Sequence, residues 1–357
     1  MTVTHSTKNS FRFGVEIELL LESPSRKYKT WHSLAMDLSK RLAKAGIPNR
    51  VDGSGDYSEW SIVREVTVQD PNGKSLYQYG IELISPIHTP ATLPTLTKTL
   101  TQLFTTLTLT TTAIIPTPRC SSHIHISRSS TTSPPGLTPT DLAALPHQLS
   151  SRAGARHPHP ARGGVRTAPH ICGRSPTGTR TIPSLAALSL HSSLTRVDAA
   201  ATAAGCMRAP GVGGGDPARP VVEVMNLVAK ESRYGVVRGK RADFVRGKTC
   251  KWDFSGFLRA ETTTGGGEVV DRGIAGTVEF RQPPGSVRAE EVVVWVTLAV
   301  AFVAGAVEVG MGLGVGGDVR EEGGSLEELW GLLMKGREVV GWADLDVLEG
   351  LFLGVGR

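Results

Sequence analysis

The chain has 357 residues and 39% hydrophobic content, which is enough for one large or two smaller globular domains. Its net charge of +6 is concentrated in residues 128–220, which contain ten Arg, no Lys, three Asp and no Glu. The remainder is nearly neutral, which argues against a nucleic-acid-binding protein. The sequence has no CxxC pair and no apolar signal segment, and its uncharged apolar stretch at 292–307 has only 16 residues. It therefore predicts a cytoplasmic protein without membrane contact.

The first predicted element is a β-strand over residues 11–21, FRFGVEIELLL. Alternation places one set of side chains on an apolar face: Phe11, Phe13, Val15, Ile17, Leu19 and Leu21. The other face carries Arg12, Gly14, Glu16 and Glu18, with the two carboxylates about 7 Å apart. Buried carboxylates are costly unless they are paired or bind a cation. The alternative is an amphipathic strand with its acidic side in water.

Strands and helices alternate along the N-terminal part of the chain. Leucines at helical spacing predict one helix over 31–45 and another over the threonine-rich stretch 89–109. Strand patterns occupy 59–68, 79–86 and 121–126. This order predicts an α+β protein in which an antiparallel sheet is backed by helices.

Residues 128–220 break this alternation. They contain 12 of the 22 prolines and almost no aliphatic periodicity, so they are predicted to be a disordered or aberrant insert rich in Pro and Arg. The predicted organisation is an N-terminal half-domain over 11–127, this insert, a C-terminal half-domain over 221–309, and a connector with C-terminal helices over 310–357.

The C-terminal part is predicted to contain one more strand at 277–282 and a buried helix at 290–309. The motif SLEE at 325–328 is a capping box that predicts the start of another helix, and a last helix is expected at 343–353. The glycine-rich stretch 310–324 lacks the GxxxxGK[ST] pattern, which favours a connector over a phosphate-binding loop.

Three of the predicted strands carry two ionisable side chains at positions i and i+2 above an apolar face, and a fourth strand carries one. They are Glu16 with Glu18, His123 with His125, Glu279 with Arg281, and Glu82 alone. If these strands share one sheet, one face of that sheet is predicted to bind divalent metal and phosphate. For the histidines the alternative is a structural pair held by hydrogen bonds.

Four motifs of this chain, in this order, resemble those of the amidoligase family of carboxylate–amine ligases. The motifs are FGVEIE at 13–18, GIELISP at 80–86, CSSHIHI at 120–126 and GTVEFRQ at 276–282. KWDF at 251–254 is similar to a later basic and aromatic segment of that family. The resemblance covers about residues 11–127 and 221–308.

The chain departs from the family pattern at two places besides the insert. The family usually has W-x-V-x-x-D-x-S before the IE-x-SP motif, and here Glu65 and Thr67 replace the Asp and Ser. The family usually has Gly-Leu before the first His, whereas this chain has Ser121 and Ser122.

The resemblance implies a glutamine synthetase-like fold and ATP-dependent amide formation through an acyl phosphate. The implied cofactors are ATP and Mg²⁺, and the implied partners are small-molecule or peptide acids and amines. The implied metal ligands are Glu16, Glu18, Glu82, Glu279, His123 and His125. Arg281 would hold the transferring phosphoryl group and form a catalytic set with Glu279 and Glu82. Lys251 and Arg241 would contact the nucleotide, the alternative being a solvated basic face.

Two other functions fit the same residues. A metal-dependent hydrolase could use the Glu and His side chains to hold Zn²⁺ or Mn²⁺ and activate water, although no HExxH motif is present. A catalytically decayed ligase fold could retain only a binding role. Consumption of ATP that requires an amine would separate the ligase from both.

Overall fold

The computed structural model describes residues 11–23, 28–53, 56–68, 77–110, 113–117, 119–129, 137, 252–257, 261–263, 269–271, 276–281, 283–313 and 326–352. The predicted insert at 128–220 lies outside the described residues, apart from residues 128, 129 and 137. Lys251, Arg241 and the serine of the predicted capping box also lie outside them.

Ten strands occur in the described part of the chain. They are β1 (Phe11–Glu22), β2 (Asn49–Val51), β3 (Trp60–Arg64), β4 (Gln78–Ile84), β5 (Ala113–Ile115), β6 (Ser122–Arg128), β7 (Trp252–Asp253), β8 (Glu261–Thr263), β9 (Val269–Asp271) and β10 (Val278–Phe280). The main sheet has the order β2-β3-β4-β1-β6-β10-β7, and β5 also pairs with β1, while β8 and β9 form a separate pair. All pairings are antiparallel except β2 with β3.

The long strand β1 lies at the centre of the sheet, between β4 on one side and β5 and β6 on the other. Its predicted alternation is confirmed, because every second side chain from Phe11 to Leu21 is at most 2% exposed. This apolar face belongs to one hydrophobic core together with side chains from the helices. The fold is therefore an α+β arrangement in which the helices back one face of a mostly antiparallel sheet.

Five α-helices accompany the sheet in the described residues: α1 (Trp31–Lys44), α2 (Leu93–Thr110), α3 (Ala289–Leu313), α4 (Leu326–Val340) and α5 (Glu349–Phe352). A capping box at Thr30 and Ser33 starts α1, and Gly46 with φ of 79° follows its end. In α2, hydroxyls such as that of Thr97 donate to the carbonyl four residues earlier, which satisfies these polar groups inside a helix. Both predicted helices are confirmed.

The apolar helix α3 is longer than the predicted 290–309. It spans 25 residues and includes residues 310–313, which were wrongly assigned to the connector. By length and composition its part Ala289–Val309, with a mean hydropathy of 2.3, could cross a membrane, because the helix extends beyond the uncharged stretch 292–307 and includes the glutamates on both sides of it. In this fold 89% of its most apolar window is buried, as in the core helix of a globular domain.

Two predicted elements are shorter than expected. The strand predicted over 59–68 ends at Arg64, because the Glu65 carboxylate accepts hydrogen bonds from the backbone N–H and the hydroxyl of Thr67 and so favours a turn. The helix predicted over 343–353 is a 3₁₀ turn, Asp346–Leu348, followed by the four residues of α5. Its apolar spacing reflects packing of Leu345, Leu348 and Leu351 against the core.

The close crossing of α3 and α4 predicts that alanine substitutions at two glycines of α4 change the stability of the protein in opposite directions. A Cβ at Gly336 would lie 1.8 Å from the Ala301 carbonyl oxygen, whereas a Cβ at Gly331 would meet nothing within 4 Å. We expect Gly336→Ala to lower the free energy of unfolding by about 1–3 kcal/mol. Gly331→Ala should raise it by up to about 1 kcal/mol, because alanine favours the helix. Urea denaturation of both variants measures this, and equal effects would contradict the close crossing.

Candidate functional site

The sheet register brings the predicted ionisable residues together on the face opposite the helices. Glu18 is paired across the strands with Glu82, and Glu16 with His123. His125 lies opposite Glu279 on β10. Directly opposed residues of antiparallel strands point to the same side of a sheet, so these side chains form one cluster. We call these six residues the carboxylate–histidine face.

Two histidines and two glutamates form the centre of this face. Nδ1 of His123 lies 3.1 Å from Oε2 of Glu16 and 3.4 Å from Oε1 of Glu279. Nε2 of His125 lies 3.1 Å from Oε1 of Glu16 and 3.6 Å from Oε1 of Glu279. Glu16 and Glu279 thus each approach both imidazole rings.

Arg281 and Asp253 lie at the β10 and β7 edge of the face. The Arg281 guanidinium donates to Oε1 of Glu279, the same oxygen that approaches both histidines. Asp253 is paired across the strands with Glu279 and is 6% exposed. Arg281 therefore supplies a permanent positive charge at this edge of the face.

The other end of the face is acidic. Glu18, Glu65 and Glu82 can bring one oxygen each within 4.8 Å of one another. Burial, together with the charges of Glu16, Glu18 and Glu65, raises the pKa of Glu82 to about 8. Burial also raises the pKa of Glu18, although His123 and Ser121 oppose this effect. Without a cation this end of the face holds carboxylates that resist losing their protons.

At the centre of the face, by contrast, the surroundings favour the charged forms of Glu16 and His125. Burial alone would raise the pKa of Glu16, but a hydrogen bond with His123, the close approach of His125 and the charges of both rings lower it overall. Burial alone would lower the pKa of His125, but Glu16 and Glu279 raise it overall. Nε2 of His125 is nevertheless buried without a well-aligned hydrogen bond. A buried nitrogen left without such a bond is a candidate metal ligand.

These donors fit a divalent cation. Two further groups, Glu16 with Glu82 and His123, and Glu16 with His125 and Glu279, place one ligand atom per residue within 4.8 Å of one another. Ligands of one Mg²⁺ can be at most about 4.2 Å apart, so a small inward movement of the side chains would close either group around an ion. Carboxylate oxygens suit Mg²⁺ and Mn²⁺, while the imidazoles also suit Zn²⁺.

The structure brings together seven of the nine predicted site residues. Glu16, Glu18, Glu82, Glu279, His123 and His125 share the face, and Arg281 lies at its edge. Lys251 and Arg241 lie outside the described residues. Sequence reasoning did not identify three further residues of this region: Glu65, Ser121 and Asp253. Glu65 and Ser121 stand where the chain departs from the family pattern, which was the available signal.

No protein-family model matches the sequence, and no curated protein matches it.

The raised pKa of Glu82 predicts a pH dependence of stability for the metal-free protein. The Glu82 carboxyl loses its proton near its ordinary pKa of 4.5 in the unfolded chain and near 8 in the folded chain. Between these values the folded state binds more protons, so stability falls as pH rises from about 4.5 to 8. We expect Glu82→Gln to raise the free energy of unfolding at pH 8 by about 1–3 kcal/mol, allowing for partial exposure, and to change it little at pH 5.

Thermal denaturation at both pH values, with EDTA present, measures this effect. Glu22→Gln is the matched control, because Glu22 ends the same strand β1 but belongs to none of the three metal-binding groups. A Glu82→Gln protein that is less stable than wild type at pH 8 would contradict the unfavourable charge at this position.

Proposed function

We propose that this chain is an ATP-dependent ligase that joins a carboxylate to an amine. The observation that carries the proposal is the convergence of four glutamates and two histidines on one face of the sheet, with Arg281 at its edge. Phosphoryl transfer depends on positioning and neutralising phosphate oxygens, for which metal-binding carboxylates and an arginine are suited. Its substrates are proposed to be small-molecule or peptide acids and amines.

Magnesium ions would be held by Glu16, Glu18, Glu82 and Glu279, with His123 and His125 as additional ligands. Bound Mg²⁺ would neutralise the nucleotide phosphates and the charge that develops during transfer. The high pKa of Glu82 is consistent with this role, because a cation replaces the proton that the crowded carboxylates otherwise retain.

The proposed reaction has two steps. An oxygen of the substrate carboxylate attacks the γ-phosphorus of ATP, the bond to the β-phosphate oxygen breaks, and ADP leaves. The amine then attacks the carbonyl carbon of the acyl phosphate, inorganic phosphate leaves, and the nitrogen loses one proton. Arg281 is placed to bind the transferring phosphoryl group, because its planar guanidinium matches phosphate oxygens. Contact with phosphate would require it to release part of its bond to Glu279.

The sequence motifs support the proposal independently of the geometry. The four motifs that resemble amidoligases include segments of β1, β4, β6 and β10, which are consecutive neighbours in the sheet. An antiparallel sheet with helices on one face and an open polar face is also consistent with the proposed glutamine synthetase-like fold. Assignment to the amidoligase family remains part of this proposal.

A metal-dependent hydrolase is the second candidate, and the donor set at His125 favours it. Glu16, His125 and Glu279 combine one nitrogen with carboxylate oxygens, a mixture that Zn²⁺ accepts at catalytic sites. Such an enzyme would activate water without consuming ATP. ADP release that depends on an added amine would exclude this candidate.

Calorimetric titration of ATP into the purified protein, with and without Mg²⁺, tests the nucleotide site. We expect binding in the presence of Mg²⁺ and at least a ten-fold weaker interaction without it, since the acidic face repels free nucleotide. A Glu16→Gln/Glu279→Gln double variant should lose the Mg²⁺-dependent binding, because both proposed metal groups at the centre of the face are removed.

Arg50→Gln/Glu59→Gln is the matched control, because it also neutralises two charged side chains but removes an ion pair at the β2 and β3 edge, outside the carboxylate–histidine face. It should bind Mg²⁺-ATP as wild type does. A folded wild-type protein that binds no nucleotide would contradict the ligase proposal, and binding unaffected by the double variant would place the nucleotide elsewhere.

A further inference from the structure

We propose that Ser121 is a positioning residue that fixes the hydrogen of His123 on Nε2 and so reserves Nδ1 for a metal ion. The inference rests on the proposed metal-binding function of the carboxylate–histidine face. It concerns a residue that the sequence motifs do not assign, at a position where this chain differs from the Gly-Leu pattern of the family it resembles.

Ser121 connects two residues of the face. Its hydroxyl oxygen lies 2.6 Å from Oε2 of Glu18 and 2.6 Å from Nε2 of His123. Its backbone N–H also donates to Oε2 of Glu18, at 2.9 Å. Nε2 of His123 lies 3.8 Å from the nearer Glu18 oxygen, too far for a hydrogen bond, so the hydroxyl is its close partner.

The hydrogens in this chain of contacts can be assigned. Oε2 of Glu18 accepts from the backbone N–H of Ser121, so it acts as an acceptor, and the hydroxyl hydrogen is donated to it as well. A serine hydroxyl has only one hydrogen to donate. The serine oxygen must therefore accept the hydrogen bond from His123, which requires a hydrogen on Nε2.

This assignment determines which ring nitrogen can bind a cation. Nδ1 faces Oε2 of Glu16 at 3.1 Å and Oε1 of Glu279 at 3.4 Å. A carboxylate oxygen can only accept a hydrogen bond or bind a cation, so without a metal ion Nδ1 donates a hydrogen to Glu16. A cation would replace that hydrogen and bind the lone pair of Nδ1 while Ser121 holds the other hydrogen on Nε2, as the outer hydrogen bond of a metal-binding histidine does.

The neighbouring serine provides a matched control. Ser122 begins β6, and its hydroxyl forms a 2.9 Å hydrogen bond with the hydroxyl of Ser286. Both of these serines are at most 1% exposed. Because side chains alternate along a strand, Ser122 points away from His123 and toward the helix side of the sheet. Ser122→Ala removes one buried hydroxyl one residue away from Ser121 without touching the carboxylate–histidine face.

The test uses the full chain labelled with ¹⁵N at its histidines and measures ring-nitrogen chemical shifts by NMR in EDTA, with His123→Gln to assign the signals. We expect a protonated Nε2 of His123 in wild type, Ser121→Thr and Ser122→Ala. In Ser121→Ala the Nε2 hydrogen loses its acceptor, so His123 should keep a hydrogen only on Nδ1, beside Glu16. Titration with Mn²⁺ should show about 10–100-fold weaker binding for Ser121→Ala only.

An unprotonated Nε2 of His123 in the wild-type protein would overturn the inference by itself, whether or not any variant folds. Equal Mn²⁺ affinity of Ser121→Ala and wild type would also overturn it. A protonated Nε2 in a wild-type protein that binds no Mn²⁺ would leave the position of the hydrogen supported and would count against the proposed metal-binding function. The NMR and Mn²⁺ measurements therefore distinguish a failure of the inference about Ser121 from a failure of the proposed metal-binding function.

Discussion

Glu18 and Glu82 face each other across the two central strands of the sheet, and Glu65 adds a third carboxylate beside them. Like charges placed directly opposite in a sheet are destabilising, and burial increases that effect. Among the described residues, the charges that act on Glu82 are those of Glu16, Glu18 and Glu65, and Arg281 lies at the opposite edge of the face. A bound cation would resolve this conflict, as the proposed metal-binding function requires.

The rest of the described fold keeps these carboxylates close together. The opposite face of β1 and the helices α1 to α4 contribute to one continuous hydrophobic core, so the strands cannot shift register without exposing it. A slip of one residue in β1 would move Glu16 and Glu18 into that core and the apolar side chains to the polar face. Burial of the apolar face therefore maintains the close approach of the carboxylates on the other.

Most of the site could be predicted because its residues follow strand alternation. Glu16, Glu18, His123, His125 and Glu279 each lie at alternating positions above apolar neighbours. The adjacency of β1, β4, β6 and β10 in the sheet depends on long-range contacts, which the local sequence pattern does not contain. Only the resemblance of the four motifs to amidoligases indicated that these strands share one sheet. Glu65 and Ser121 were predicted to lie within strands, at 59–68 and 121–126, but in the structure each lies just outside its strand. They were missed as site residues because their partners, Glu82 and Glu18, are on other strands, which the local pattern does not reveal.

Binding of divalent cations by the carboxylate–histidine face can be tested in crystals of the protein grown with Mn²⁺ and measured for anomalous scattering at the manganese edge. We expect anomalous density among Glu16, Glu279 and the two histidines, or among Glu18, Glu65 and Glu82, since these groups can converge on an ion. Well-ordered side chains on this face with no anomalous density between them, at millimolar Mn²⁺, would contradict it.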